Sequence, residues 1–199
     1  SYWMQPWTVE FGELGVGYFD FLIARFGELG NNQWLHDFGG WGTIDVVSGL
    51  AADADGNAII TGWFESNEID LGGGPLEQPS VPGGCGYCSD QFIAKYDPDG
   101  NHVWSMNVGG TDVEWAGEVA TDAGGNVFVV GNYLGSSIDL GGGPFPPPEG
   151  SDMFVAKYDA DGTYVWSTAF GAEYMDEGWH ISLAPDGNIY VAGDFGSKT

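Results

Sequence analysis

Asp90-Gln-Phe-Ile-Ala-Lys-Tyr-Asp-Pro-Asp-Gly-Asn-His-Val-Trp104 is one of three gapless versions of the same fifteen-residue phrase. The others are Asp20-Phe-Leu-Ile-Ala-Arg-Phe-Gly-Glu-Leu-Gly-Asn-Asn-Gln-Trp34 and Asp152-Met-Phe-Val-Ala-Lys-Tyr-Asp-Ala-Asp-Gly-Thr-Tyr-Val-Trp166, at offsets of 70 and 62 residues. A second phrase keeps nearly the same pace: Gly56-Asn-Ala-Ile-Ile-Thr-Gly62, Gly125-Asn-Val-Phe-Val-Val-Gly131 and Gly187-Asn-Ile-Tyr-Val-Ala-Gly193. A third, Ile69-Asp-Leu-Gly-Gly-Gly-Pro75, returns as Ile138-Asp-Leu-Gly-Gly-Gly-Pro144. Self-similarity at a fixed period marks a repeat architecture, each unit too small to bury its apolar face alone.

Every unit carries two turn signals, at 27–31, 53–57, 97–101, 122–126, 159–163 and 185–188. In the fullest form Asp stands first, Pro or Ala second and Gly fourth, the chemistry of a type I turn whose glycine accepts positive φ in a bulged hairpin. Apolar and aromatic runs of four to six residues flank each turn, as strands do. Six hairpins predict twelve strands, four per repeat, and no helix. Phe92, Ala94 and Tyr96 alternate with Ile93 and Lys95, whereas Val127-Phe-Val-Val130 is apolar on both faces, the pattern of a sheet covered on both sides. The expected fold is therefore all-β, with three four-stranded antiparallel blades of propeller type. A β-sandwich, the competing architecture, does not call for identical turns and tryptophans at a fixed period. The expected organisation is an N-terminal lead at 1–18 and repeats at 19–88, 89–150 and 151–199.

These phrases resemble the bacterial β-propeller repeats called SBBP repeats. The loop Ile138-Asp-Leu-Gly-Gly-Gly-Pro144 resembles the variant common in secreted proteins of myxobacteria and related groups. The resemblance covers residues 20 to 195 and implies an extracellular or cell-surface scaffold more than any particular chemistry. The longer, cysteine-bearing loop at Cys85 to Cys88 departs from it.

The chain has 199 residues and a formal net charge of −25, from 4 Lys+Arg against 29 Asp+Glu. Such a charge repels nucleic-acid phosphate and anionic membranes and suits cations as counterparts. Glycine, at 35 residues, far exceeds the roughly 7% of ordinary proteins but lacks the collagen period. The 9 Trp, 9 Tyr and 12 Phe argue against disorder. No run reaches the ~20 apolar residues of a membrane span. Cys85 and Cys88 are the only cysteines. A single pair at this spacing cannot make a four-ligand zinc site without outside ligands, and a local disulfide stiffening a long loop is expected, with reduced thiols as the alternative.

Several residues carry candidate roles. Asp97, Asp99, Asp159 and Asp161 resemble the start of a calcium loop but lack its length and closing Glu. Calcium is accordingly expected only as a weak stabiliser, and no cofactor is required. Arg25, Lys95 and Lys157 share one repeat position and are expected to pair with a carboxylate such as Asp70 or Asp139. Trp34, Trp104 and Trp166 recur as expected blade anchors, with sugar platforms as the alternative. His36, His102 and His180 fall at unrelated positions, and no nucleophile elbow occurs, so the chain is read as not an enzyme. The acidic stretch Glu173 to His180 is the one place where paired carboxylates could serve glycoside hydrolysis.

Val9-Glu-Phe-Gly12 resembles Ile138-Asp-Leu-Gly141, and Gly193 to Thr199 reaches the same repeat phase from the other side. That match predicts either a segment of a longer array or identical chains joined head to tail into a ring or filament. Tyr2, Trp3, Trp7 and Phe195 are the expected assembly residues. The function expected is thus a self-associating extracellular structural protein. A lectin or adhesin, binding a glycan or cell-surface ligand through loops at 72–89 and 141–151, is the alternative.

Overall fold

The computed structural model describes residues 19–39, 43–78 and 88–196. Its fourteen strands are β1 (Phe21–Phe26), β2 (Asn32–Phe38), β3 (Asp45–Ala52), β4 (Ala58–Phe64), β5 (Glu68–Asp70), β6 (Pro75–Glu77), β7 (Asp90–Tyr96), β8 (His102–Val108), β9 (Val113–Thr121), β10 (Val127–Leu134), β11 (Ser151–Tyr158), β12 (Tyr164–Phe170), β13 (Asp176–Leu183) and β14 (Ile189–Phe195). No helix occurs among the described residues, and all strand pairings are antiparallel.

All six predicted turns form, and their glycines lie at φ between 75° and 88°. Asp53 shows why they are so sharply defined. Its Oδ1 accepts the N–H groups of Asp55 and Asn57, at 3.0 and 2.9 Å, while Gly56 N–H reaches the Asp53 carbonyl at 3.1 Å. Asp97, Asp122 and Asp159 repeat the side-chain pattern. An aspartate that satisfies two backbone donors of its own turn makes that turn locally self-sufficient.

The sheets divide differently from the repeats. Two are complete four-stranded meanders, β3-β4-β7-β8 and β9-β10-β11-β12, and two are pairs, β1-β2 and β13-β14. The expectation of three four-stranded blades is corrected accordingly. β4 pairs with β7 along its whole length, from Ala58↔Tyr96 to Phe64↔Asp90, and so bridges two sequence repeats. Residues 109–112 then carry the chain out of one sheet and into the next. Each complete sheet is the second half of one repeat joined to the first half of the following one. β5 and β6 form a small hairpin on the excursion between β4 and β7.

The four layers stack in sequence order. Phe21 of β1 stacks on Phe92 of β7 with ring centroids 5.3 Å apart. Ile59, Ile93, Val119 and Val129 share the core between the complete sheets, and Phe128, Val130, Val155 and Ile181 the core under β13. Buried between layers on both faces, β7 and Val127–Val130 of β10 present no exposed side chain, as the uniformly apolar run in β10 implies.

Candidate functional site

Successive layers are joined by a repeated lock. Lys95 of β7 and Trp104 of β8 both donate to the carbonyl of Ala160, at 3.1 Å each, and Ala160 lies in the β11–β12 turn of the next layer. One layer earlier, Arg25 and Trp34 donate to the carbonyl of Pro98, the equivalent residue of the β7–β8 turn; the indole bond is 3.0 Å long. The glycine of each docked turn rides on the same tryptophan. A Cβ added to Gly100 would stand 2.8 Å from the Trp34 ring, and one on Gly162 3.1 Å from Trp104. Position two of the docked turn in addition approaches Gly56 or Gly125 of its own layer's other turn, with Pro98 Cγ 3.7 Å and Ala160 Cβ 3.4 Å from where a Cβ on that glycine would stand. Carbonyl, cation, indole and two glycines thus interlock at both junctions.

The third copy of the lock has every receiving group, and among the described residues no carbonyl from a turn equivalent to 97–101 or 159–163 reaches its donors. Lys157, Trp166, Phe128 and Asp122 line a cleft of about 600 Å³ together with Pro185 and Gly187. The Lys157 ammonium stands 4.9 Å from the Phe128 ring centre and 3.8 Å from Asp122. Its counterpart Lys95 closes on Asp53 at 3.1 Å. Gly187, equivalent to Gly125, has no atom within 4 Å of where its Cβ would be.

This geometry revises the expected ion pairs. Lys95 and Lys157 pair with the turn aspartates Asp53 and Asp122, not with Asp70 or Asp139. Lys95 lies across from Ile59, two residues beyond the turn that Asp53 opens. The Asp70 and Asp139 carboxylates instead accept the N–H groups of Gly72 and Gly74, and of Gly141 and Gly143, at 2.8 to 3.0 Å. Those Gly-rich segments are pinned further by the Tyr96 hydroxyl, which donates to Leu71 O at 2.9 Å, and by Tyr158, which donates to Leu140 O at 3.1 Å. Of the recurring tryptophans, Trp34 and Trp104 anchor one layer to the next through their indole N–H.

Asp97 and Asp159 commit Oδ1 to their own turns, with Asp99 and Asp161 supplying N–H groups. Among the described residues no group of three His, Cys, Asp or Glu is placed to hold a metal ion. Within Glu173 to His180, Asp176 is buried and caps the N–H groups of Ala172 and Gly196, while His180 Nδ1 lies 3.4 Å from Glu118. Cys88 is half of a disulfide. Cys85, Tyr2, Trp3 and Trp7 lie outside the described residues, whereas Phe195 ends β14, exposed.

A buried acid pair sits beside a parallel bridge that links one layer to the next, and sequence reasoning misses it. Ser89 bridges Val113, and next to them Asp90 and Glu114 are both buried, with Gly110 N–H donating to Glu114 at 2.9 Å. Burial pushes Glu114 up to about 8 and Asp90 to about 6, although Asn107 donates to the Asp90 carboxylate. Burial thus keeps Glu114 protonated at neutral pH. Asp152, whose carboxyl burial and the charge of Asp176 both raise, stands at the same repeat position as Asp90, beside the bridge from Ser151 to Met175. A signal is present in the sequence, since Asp20, Asp90 and Asp152 open the three aligned phrases, but the partners sit about 24 residues further along, in the next layer.

Comparison with known proteins gives distant relatives. The chain is 25% identical over 198 residues to an uncharacterized WD repeat-containing protein, L264, of Acanthamoeba polyphaga mimivirus, a match covering 88% of this chain and 13% of that protein. It is 27% identical over 158 residues to the regulatory protein FlaEY of Caulobacter vibrioides, covering 76% of this chain and 16% of that protein. The chain therefore spans less than a fifth of either relative. No family model matches. A crystal structure of a protein of unknown function from Bacteroides caccae aligns over 83% of this chain and 58% of that one at 10% identity, with a TM-score of 0.32, too low to bear on the fold. Taken with the layered sheets, the WD-repeat relative supports a β-rich repeat protein.

Proposed function

We propose that this protein is a non-enzymatic extracellular scaffold whose propeller-type blades associate head to tail with those of a second copy. The observation that supports it most is the pair of half-sheets, β1-β2 and β13-β14, each of which, among the described residues, has the strands that the other lacks relative to a complete sheet. An extended strand edge with unpaired N–H and C=O groups is a template for pairing. Two copies would contribute six blade-equivalents, within the roughly four to eight that close a propeller. Otherwise the same contact runs on as a filament. The SBBP resemblance and the Cys88 disulfide favour an oxidising, extracellular setting.

Sedimentation velocity over a concentration series in moderate salt, followed by electron microscopy of the fastest species, tests this reading. Assembly in the absence of added ligand is the expected result. A chain that remains monomeric at every concentration, or that binds immobilised glycans as a monomer, overturns it.

A further inference from the structure

We infer that the open lock at Lys157 and Trp166 receives the 27–31 turn of a second copy, as β1 of that copy pairs with β14; this rests on the head-to-tail reading above. Two independent features select the same occupant. The first is the lock. In both filled locks the guest is position two of the turn joining the third and fourth strands of a complete sheet, Pro98 or Ala160. By the repeat alignment the corresponding residue of the β1–β2 turn is Glu28, and the corresponding glycine is Gly30. Gly30 has no atom within 4 Å of where its Cβ would be, while Gly100 and Gly162 rest on tryptophans. Among the described residues there is thus one lock without a guest and one guest turn without a lock.

The second feature is the apolar surface of the two half-sheets. Phe26 is 57% exposed and its equivalent Tyr96 1%; Tyr190 is 63% exposed and its equivalent Phe128 5%; Phe195 is 67% exposed and Tyr133 1%. At each position the chain keeps a large ring, and in the described half-sheets that ring stands in water. The β4–β7 register, Ala58↔Tyr96 through Phe64↔Asp90, translates to Ile189↔Phe26 through Phe195↔Asp20 across the junction. That pairing places the visiting 27–31 turn at the end of the sheet where turns 97–101 and 159–163 lie in the complete ones. Lys157 Nζ and Trp166 Nε1 then donate to the Glu28 carbonyl, and Gly30 settles on Trp166.

The test compares the full chain with Lys157→Met and Trp166→Phe, which keep bulk and remove donors, and with Lys95→Met, which strips a filled internal lock. Sedimentation gives the association constant and thermal unfolding the stability. Each open-lock variant should weaken association about tenfold with a far smaller fall in melting temperature than Lys95→Met, whose ammonium is buried in its filled lock. A chain carrying Ala24→Cys and Val191→Cys, paired in the proposed register, should form intermolecular disulfides on oxidation. The slipped pair Ala24→Cys with Ala192→Cys should not. If the unmodified chain assembles but the open-lock variants assemble equally well and the in-register pair does not cross-link, this junction is wrong and self-association survives. An unmodified chain that never assembles sinks both. Assembly of variants that have lost their folded circular-dichroism signal counts against the junction as well, since it would show an association that needs no lock.

Discussion

Glu114 and Asp53 put opposite pH dependences into one small molecule. Burial favours the neutral Glu114 carboxyl, so the folded state holds a proton that the unfolded state releases above its ordinary pKa. The stability it provides is complete below about pH 4.5 and is lost as pH rises toward about 8. Glu114→Gln should flatten that decline in urea midpoints measured between these limits. For Asp53, burial works against ionisation, but the hydrogen bonds from Asn57 and Lys95 outweigh it and hold the carboxyl below its usual range. Its contribution is present above the ordinary carboxylate pKa and is lost as pH falls through the folded value. Asp53→Ala strands the Lys95 ammonium in a buried site and should cost about 3 kcal/mol. Asp122→Ala should cost about 1 kcal/mol or less, because the Lys157 pair is longer and wetter. Equilibrium denaturation at pH 6 distinguishes the two.

At the level of strands and loops, the tyrosine bonds to Leu71 and Leu140 make a paired prediction. Tyr96→Phe and Tyr158→Phe should each lose about 1 kcal/mol, with faster proteolysis of the Gly-rich segment under the altered ring as the local readout. Elements are legible in the sequence where their determinants are local. Asp97, Pro98 and Gly100 specify a turn among themselves, and the alternation of Phe92, Ala94 and Tyr96 specifies a strand. Which strands share a sheet is not legible, because the pairing of β4 with β7 as well as β3 rests on an edge that lies beyond a long excursion of the chain. The same limit hides the partner of Lys95. Its period is visible, but Asp53 and the Ala160 carbonyl come from two different turns that only the stacked layers bring together. Asp90 and Glu114 escape for that reason too.

The molecule as a whole is dominated by its charge. At −25, copies repel one another, and the apolar half-sheets must overcome that repulsion at any junction. Screening at ~0.15 M salt reduces the range of repulsion to about 8 Å, so association should strengthen between low and moderate salt; sedimentation in a salt series measures this directly. Calcium should raise the melting temperature modestly, with a chelator reversing the change. If neither reagent moves the melting temperature, calcium has no part in stabilising this fold.

The two-strand offset between repeat and sheet also shapes how such a chain can lengthen. A gene segment encoding one period, duplicated in tandem, delivers four strands and one lock wherever the breakpoints fall, because every half-sheet it severs is restored by the copy beside it. The edge of β4 takes β7 just as the equivalent edge of β10 takes β11, so the splice point is the same in both complete layers. Crossovers between misaligned copies therefore change the number of layers by whole steps and leave the reading of each layer intact, and the 70- and 62-residue spacings differ only in the length of loop carried along with the unit.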